Sequence, residues 1–183
     1  MIETIERLSA QDRTRIADLL GATFAAYAKR SEAEEEVASL CGKDKVLLVE
    51  RRSGVIVGLI GATAQYGKTG WELHPLLVDT AHRGKGMGLR LVEALEDAVR
   101  ERGGLMMYLG TDDEDNRTTL SQGDLFENLF AKVRDMRNLA DHPYSFYERC
   151  GYQVVGVLPD ANGWNKPDIM MAKRLFPYRE DLI

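Results

Sequence analysis

The segment from residue 82 to residue 90 reads H-R-G-K-G-M-G-L-R, with three glycines at alternate positions. The apolar run at 76–78 before it predicts a strand, and apolar residues at helical spacing over 87–99 predict a helix after it. At the start of such a helix the backbone N–H groups are unpaired, and the helix dipole favours negative charge. The segment therefore predicts a turn that binds an anion such as pyrophosphate.

Two common phosphate-binding motifs do not match this turn. A Walker A loop needs Ser or Thr directly after its lysine, whereas Lys85 is followed by Gly86. A dinucleotide-binding fingerprint needs the spacing G-x-G-x-x-G within a βαβ unit, whereas here the glycines alternate and follow an expected antiparallel meander. The spacing therefore counts against both classes.

Metal chemistry is not indicated by the remaining polar residues. Counting from Asp112, the run D-D-E-D-N would need Gly at position six and Glu at position twelve to bind calcium, but it has Arg117 and Gly123 there. The run is either a solvated loop or one wall of a pocket for a polycation. Cys41 and Cys150 are too few and too far apart for a disulfide framework or a zinc site. We expect no metal.

The composition is that of an ordinary soluble domain. The 183 residues carry a net charge of −5, and 44% of them are hydrophobic. We expect one domain over residues 1–183. No basic stripe favours nucleic acid as a partner, no run approaches the roughly 18 apolar residues of a membrane span, and no secretory leader pattern starts the chain. These features predict a cytoplasmic protein without nucleic-acid or membrane partners.

Strands and helices are predicted around the turn by hydrophobic spacing. Ser9 with Asp12 predicts a capped helix start, and Ser31 with Glu34 predicts a second, shorter helix whose glutamates face solvent. Short glycine-containing turns between strand-like runs predict an antiparallel meander. The predicted strands are 2–8, 45–50, 55–64, 71–78, 105–110, 152–158 and 169–175. Further helices are predicted at 87–102, at 124–137 and, after Pro143, up to Gly151.

Two segments carry a family resemblance. Residues 76–92, L-L-V-D-T-A-H-R-G-K-G-M-G-L-R-L-V, resemble motif A of the GNAT acetyltransferases, in which Arg/Gln-x-x-Gly-x-Gly/Ala follows a strand; the matching positions are Arg83, Gly86 and Gly88. F-Y-E-R-C-G-Y at 146–152 is similar to the family's Phe-Tyr-x-x-x-Gly-Phe segment. The resemblance implies the α/β (α+β) GNAT fold, with a mixed, mostly antiparallel sheet of six to seven strands flanked by helices. It also implies acetyl-CoA-dependent N-acetyl transfer.

The resemblance also implies roles for individual residues. The turn amides would bind the pyrophosphate of acetyl-CoA, and the backbone of the preceding strand would pair with pantetheine. Tyr147 stands at the family's general-acid position, where it would protonate the departing sulfur. The implied cofactor-binding residues are Leu77, Val78, Arg83, Gly84, Lys85, Gly86, Met87 and Gly88.

Amine acetylation also needs a group that accepts a proton. An amine with a pKa near 10 is only about 0.1% neutral at pH 7, which corresponds to about 4 kcal/mol. We favour Glu72 as the base, because it lies on the strand assigned to pantetheine and alternates with the core residue Leu73. Asp112 or Asp113, at the end of the next strand, is the competing choice, and a water relay is a third.

A narrower resemblance concerns the acceptor. W-E-L-H-P-L-L-V, Y-L-G-T-D-D-E and V-L-P-D-A-N-G-W-N-K-P-D-I resemble bacterial GNATs of the aminoglycoside 6'-N-acetyltransferase type, an antibiotic-resistance activity. This implies a small cationic amine as substrate, and the family implies a homodimer. The alternatives are a polyamine, an amino acid, a protein N-terminus, or a non-catalytic acetyl-CoA-binding module. The carboxylates that would meet ammonium groups are Glu72, Asp112, Asp113 and Asp160.

Overall fold

Seven strands and five α-helices are present in the computed structural model, which describes residues 1–179. They fall into two compact units, one formed by residues 1–107 and the other beginning at residue 108. The assignment of one domain to residues 1–183 stays a prediction. Within residues 1–179, no helix combines the length and the apolar composition that crossing a membrane requires.

The first unit contains the predicted antiparallel meander. Its strands β1 (Ile2–Thr4), β2 (Lys45–Arg52), β3 (Val55–Tyr66) and β4 (Gly70–Val78) pair in chain order, each antiparallel to the next. The β2–β3 connection is the two-residue turn Ser53–Gly54, in which both residues have positive φ. Turns of this kind match the twist of paired strands, which explains why the sequence pattern predicted the hairpin correctly.

The two N-terminal helices differ in how they begin. Helix α1 (Ala10–Thr23) starts as predicted, because the Ser9 hydroxyl accepts a hydrogen bond of 3.1 Å from the Asp12 amide. Helix α2 (Arg30–Ser39) starts earlier than predicted, and its N-cap Lys29 makes no side-chain cap. The Ser31–Glu34 capping box is therefore wrong; Glu34 instead accepts a 2.7 Å hydrogen bond from Arg30 one turn earlier in the helix.

Helix α3 (Met87–Glu101) lies against β2 and β3 through its predicted apolar stripe. Its close approach requires a glycine in β3, since a Cβ at Gly58 would lie 2.7 Å from the Met87 sulfur. The helix ends at Arg102, and Gly103 follows with a φ of +84°. All five residues of the stripe are buried, namely Met87, Leu91, Val92, Leu95 and Val99.

The remaining strands are β5 (Met106–Asp112), β6 (Gln153–Leu158) and β7 (Asp168–Arg174), which lie in the sheet order β5, β7, β6 with β6 and β7 antiparallel. The second unit also contains two short helices, α4 (Leu129–Arg134) and α5 (Tyr144–Arg149). Helix α5 begins after Pro143 and is followed by Gly151 at a φ of +89°, as predicted. The predicted helix over 124–137 is wrong in extent: only α4 forms, because Asn128 takes a left-handed conformation at its start. Phe126 and Phe130 are 66% and 87% exposed.

Candidate active site

The glycine turn between β4 and α3 has the backbone geometry of an anion site. Gly84 and Gly86 have φ values of +73° and +74°, in the left-handed region that favours glycine. The first α3 amide with an intramolecular acceptor is that of Arg90, which donates to the Gly86 carbonyl at 3.2 Å. The amides of residues 87–89 in the first turn have no acceptor within residues 1–179. These donors are therefore available to a ligand.

The charges around this turn also fit a polyanion. The first turn of α3 carries no acidic residue, and its N-cap Gly86 makes no side-chain hydrogen bond. Two exposed basic side chains are anchored beside it: Arg83 Nε donates to the Val78 carbonyl at 2.9 Å, and Lys85 Nζ donates to the Ala81 carbonyl at 3.2 Å. Unpaired amides, the positive end of a 15-residue helix and these cations together fit a pyrophosphate.

Strand β4 leads into the turn and carries an irregularity at its middle. Ile60 pairs with Leu76 but Ala62 pairs with Leu73, so two residues of β4 lie opposite Gly61 alone. A Cβ at Gly61 would lie 2.6 Å from the His74 carbonyl, which explains the glycine there. Bulges of this kind redirect side chains and are frequent next to active sites. Glu72 precedes the bulge, and the predicted pantetheine-binding residues Leu77 and Val78 follow it.

Glu72 is half-buried and lines a cavity of about 320 Å³ in the first unit. Its Oε2 accepts a 2.8 Å hydrogen bond from Gln65 Nε2 on the neighbouring strand. The cavity holds two carboxylates, one imidazole and one ammonium group among its charged or titratable side chains. Its lining residues are Glu36, Ser39, Leu40, Lys45, Ala62, Thr63, Gln65, Glu72 and His74.

His74 and Glu36 were not identified from the sequence. His74 could have been, since it alternates with Glu72 and so lies on the same face of β4. Glu36 had no such signal, and the expectation that the glutamates of α2 face solvent is wrong for it. Its side chain is only 17% exposed, and its Oε1 lies 3.4 Å from His74 Nε2. The packing of α2 brings the second carboxylate to the cavity.

The protonation of this cluster follows from its contacts. The hydrogen bond with His74 is the main cause that holds the pKa of Glu36 below its usual range, so this carboxylate is ionised at neutral pH. Burial, together with the Glu36 charge, raises the pKa of Tyr27 to about 12, so that hydroxyl keeps its proton. The Glu36 carboxylate therefore presents negative charge at the cavity, which attracts an ammonium group.

Asp113, in the second unit, holds together the loop that follows it through hydrogen bonds to its carboxylate. Its carboxylate is completely buried and accepts hydrogen bonds from the Arg117 and Thr118 amides and from the Thr118 and Ser121 hydroxyls. Burial acts to raise the pKa of Asp113, but these hydrogen bonds bring it below its usual range. Because its oxygens are occupied by the loop, Asp113 is poorly placed to meet an ammonium group.

Asp112 and Asp160 are connected through the loop that follows β6. Asp112 is exposed, and its Oδ1 accepts a hydrogen bond from Asn162 Nδ2. Asp160 has a φ of +54°, and its Oδ1 accepts a 2.8 Å hydrogen bond from the Asn165 amide. The structure therefore brings Asp112 to the same loop as Asp160, and Asp112 Oδ2 has no hydrogen bond or ion pair inside residues 1–179.

Tyr147 lies half-buried on α5, with its ring edge-on to two neighbouring aromatic rings. The ring centroids of Phe146 and Tyr152 are 5.1 Å and 6.0 Å away. Burial raises the pKa of the Tyr147 hydroxyl. The hydroxyl makes no hydrogen bond inside residues 1–179. It is therefore protonated at neutral pH and free to donate a proton.

His142 ties the end of β5 to the start of α5. The ring is 1% exposed; its Nδ1 accepts a 3.2 Å hydrogen bond from the Tyr144 amide, and its Nε2 lies 3.0 Å from the Asp112 carbonyl. Since Nδ1 accepts, the proton is assigned to Nε2, which donates to that carbonyl. Burial lowers the pKa of His142, so the ring is neutral in the folded protein.

This histidine predicts a loss of stability in acid. As pH falls below about 6.5, His142 becomes protonated in the unfolded chain but stays neutral in the folded protein, because its pKa is lower there. The unfolded state is therefore stabilised by protonation, and the free energy of unfolding decreases. We expect the decrease between pH 8 and pH 5.5 to be larger in the wild type than in His142→Gln, measured by urea unfolding. An equal decrease in both proteins would contradict this assignment.

The antiparallel meander ends in a glycine turn whose unpaired amides fit a pyrophosphate, and its last strand also lines the cavity that contains Glu72. These features fit a transferase that uses an acyl-CoA. The model of the Acetyltransferase (GNAT) family matches residues 13–120. The chain belongs to the GNAT acetyltransferase family. It is therefore an acyltransferase that uses acetyl-CoA as its co-substrate.

Solved structures support the same fold over nearly the whole chain. An aminoglycoside 6'-N-acetyltransferase complexed with coenzyme A is 47% identical, with a TM-score of 0.93 and coverage of 98% of this chain and 99% of that chain. The aminoglycoside 6'-N-acetyltransferase from Enterococcus faecium is 45% identical with the same coverages and a TM-score of 0.90. An aminoglycoside 6'-acetyltransferase type Ii is 39% identical over 98% and 99% of the two chains, with a TM-score of 0.77. The predicted GNAT fold is confirmed.

The search of curated proteins found no match. Within residues 1–179, no group of three His, Cys, Asp or Glu side chains is arranged to hold a metal ion.

Proposed function

We propose that this acetyltransferase transfers the acetyl group of acetyl-CoA to the 6'-amine of an aminoglycoside, by direct attack in a ternary complex. The observation that carries the proposal is the 47% identity over 98% of the chain to an aminoglycoside 6'-N-acetyltransferase. The acidic cavity beside β4 supports it, because aminoglycosides carry several ammonium groups. An overall charge of −5 favours the same class of acceptor.

Acetyl-CoA would be held by the turn and by the strand that leads into it. The turn over residues 83–88 supplies backbone amides and the side chains of Arg83 and Lys85 for the pyrophosphate. The backbone at Leu77 and Val78 would pair with the pantetheine arm. Leu77 lies five positions after Glu72 along β4, about 17 Å at about 3.3 Å per residue, so the thioester end would point toward the cavity. The thioester supplies the acetyl group.

Glu72 is the proposed base. Its carboxylate would take the proton from the attacking amine, directly or through a water, and Glu36 would add a second negative charge in the same cavity. Asp112 and Asp160 stay as secondary candidates for contacts with other ammonium groups. Asp113 is not retained for this purpose, because the 113–121 loop occupies its oxygens.

Tyr147 is the proposed acid. A phenol with a raised pKa is fully protonated at neutral pH, and its hydroxyl has no competing partner inside residues 1–179. It would donate its proton to the departing coenzyme A sulfur. The family resemblance implies this role for Tyr147, whereas the choice of Glu72 as the base follows from its position on β4.

The setting of the enzyme is part of the same proposal. Acetyl-CoA is made and used in the cytoplasm, so we place the enzyme there, where acetylation would protect ribosomes from the drug. We also propose a homodimer, for which the exposed aromatic side chains of Phe126 and Phe130 offer apolar surface. Light scattering on the purified protein measures that mass directly.

A matched acceptor pair tests the reaction. Neomycin has an amine at the 6' position and paromomycin has a hydroxyl there, while the two drugs otherwise match. We expect release of free coenzyme A thiol and a monoacetylated product with neomycin and not with paromomycin. Turnover of spermidine or of a peptide N-terminus, with none for neomycin, would replace the acceptor. Coenzyme A binding without any product across the panel would indicate a binding module.

A further inference from the structure

A buried acid lies beneath the phosphate-binding turn and is used by none of the steps above. Glu50, on β2, is 3% exposed, and the strand register pairs it with Gly58 of β3. Directly opposite residues of an antiparallel pair face the same side of the sheet. The absent side chain of Gly58 would meet Met87 in the first turn of α3, so Glu50 faces that turn as well.

Two arginines form ion pairs with Glu50, one at each carboxylate oxygen. Arg52 Nη2 lies 2.6 Å from Oε1, and Arg90 Nη2 lies 3.3 Å from Oε2. A buried carboxylate that loses its partner is strongly destabilised, because little water is present to solvate it. Glu50 therefore holds the Arg90 guanidinium in one place.

Arg90 connects this carboxylate to the glycine turn. Its Nη1 donates to the Lys85 carbonyl at 3.1 Å, while its own amide donates to the Gly86 carbonyl at 3.2 Å. Lys85 and Gly86 lie at the centre of the predicted pyrophosphate site. One side chain therefore fixes a segment whose glycines would otherwise give it large conformational freedom.

Charge repulsion and ordering of the turn predict opposite effects of Glu50 on coenzyme A binding. A carboxylate beneath a phosphate site repels the phosphate, so charge alone predicts tighter coenzyme A binding when Glu50 is neutralised. If instead Glu50 orders the turn through Arg90, then in Glu50→Gln the turn becomes ordered only when coenzyme A binds. The entropy lost in ordering the turn then reduces the binding free energy, and binding weakens. The two readings differ in direction.

We infer that Glu50 is a positioning residue for coenzyme A, acting through Arg90 on the carbonyl of Lys85. The inference rests on the proposed assignment of the 83–88 turn to the pyrophosphate. Glu50 itself touches no ligand in this scheme. Its contribution is a turn that is already ordered before acetyl-CoA arrives.

Calorimetric titration with coenzyme A tests the inference. Glu50→Gln and Arg90→Met should each bind coenzyme A about tenfold more weakly, the size expected for one charged hydrogen bond. The double variant should bind no more weakly than either single one, because the two residues act as a unit. In turnover, the KM for acetyl-CoA should rise while kcat at saturation and the KM for the acceptor hold.

Glu96→Gln is the matched control for Glu50→Gln. Glu96 is 2% exposed and pairs with Arg100 at 3.3 Å, also on α3 but in its last turns, away from the glycines. Its replacement should lower stability and leave coenzyme A binding unchanged. Tighter or unchanged binding by Glu50→Gln, or equal weakening by Glu96→Gln, would overturn the inference. The Arg90 side chain is 45% exposed, so Arg90→Met should fold and can test the inference if Glu50→Gln does not fold.

A second pair of variants tests the turn independently of Glu50. Gly84 and Gly67 both have positive φ and no atom within 4 Å of an added Cβ, so alanine introduces similar backbone strain at each. Only Gly84→Ala should weaken coenzyme A binding, since Gly67 lies in the β3–β4 turn. Weakening by Gly84→Ala with normal binding by Glu50→Gln would retain the phosphate site and reject the positioning role. No coenzyme A binding by the wild type would reject the site itself.

Discussion

Glu72→Gln is expected to lower kcat/KM for an aminoglycoside acceptor by at least about 100-fold, the usual contribution of a positioned base. Glutamine keeps the size of the side chain and can still contact Gln65, which now holds the Glu72 carboxylate at 2.8 Å. It cannot take a proton, so only the small neutral fraction of the amine reacts. The KM for acetyl-CoA should stay at its wild-type value.

The pH profile separates the base from a simple negative charge. Without a base, kcat/KM in Glu72→Gln should rise about tenfold per pH unit until the amine pKa is reached. Glu36→Gln is the matched control, because it removes the other carboxylate of the same cavity and retains Glu72. It should raise the KM for the acceptor and keep the wild-type pH profile. Identical profiles for the two variants would remove Glu72 from proton transfer.

Tyr147→Phe is expected to lower kcat by about 100-fold, the lower range for loss of a general acid. Phenylalanine keeps the edge-on contacts with Phe146 and Tyr152, and the hydroxyl that it lacks has no hydrogen bond inside residues 1–179. The midpoint of thermal unfolding should therefore change little. Steady-state kinetics at saturating concentrations of both substrates measure the effect.

Tyr144→Phe provides the comparison on the same helix. Tyr144 is also a tyrosine of α5, but it is buried at 6% exposure and has no role in the proposed chemistry. Its replacement should change stability and leave kcat intact. If Tyr147→Phe turns over at the wild-type rate, then water or the acceptor protonates the departing thiolate, and Tyr147 serves only for packing.

Secondary structure was predicted correctly from the sequence where a single hydrophobic periodicity dominated the segment. The meander and α3 were predicted correctly because alternating or helically spaced apolar residues leave only one face for the core. The Ser31–Glu34 box failed because Arg30 offers Glu34 an ion pair within the helix, which a local capping pattern does not weigh. The helix over 124–137 failed because Asn128 interrupts it with a left-handed residue, which the apolar spacing does not reveal.

The candidate site divides in the same way. The glycine spacing in 84–88 correctly predicted a turn at a helix start, because positive φ and a helix start are properties of the local chain; that the turn binds an anion stays a prediction. Asp113 looked like an acceptor contact in the sequence, yet four hydrogen bonds from its own loop occupy it. Whether a polar side chain already has hydrogen-bond partners depends on its neighbours in space, which the sequence pattern does not reveal.

The sequence by itself determined the family and the class of cofactor, since these follow from short segments whose spacing is their signal. Only the tertiary structure decided which charges meet. Glu36 reaches the cavity of Glu72 from helix α2, where its carboxylate lies 3.4 Å from His74 on β4, and Glu50 reaches Arg90 because β2 lies against α3. Contacts between residues 38 or 40 positions apart depend on the packing of whole elements, which no local periodicity encodes.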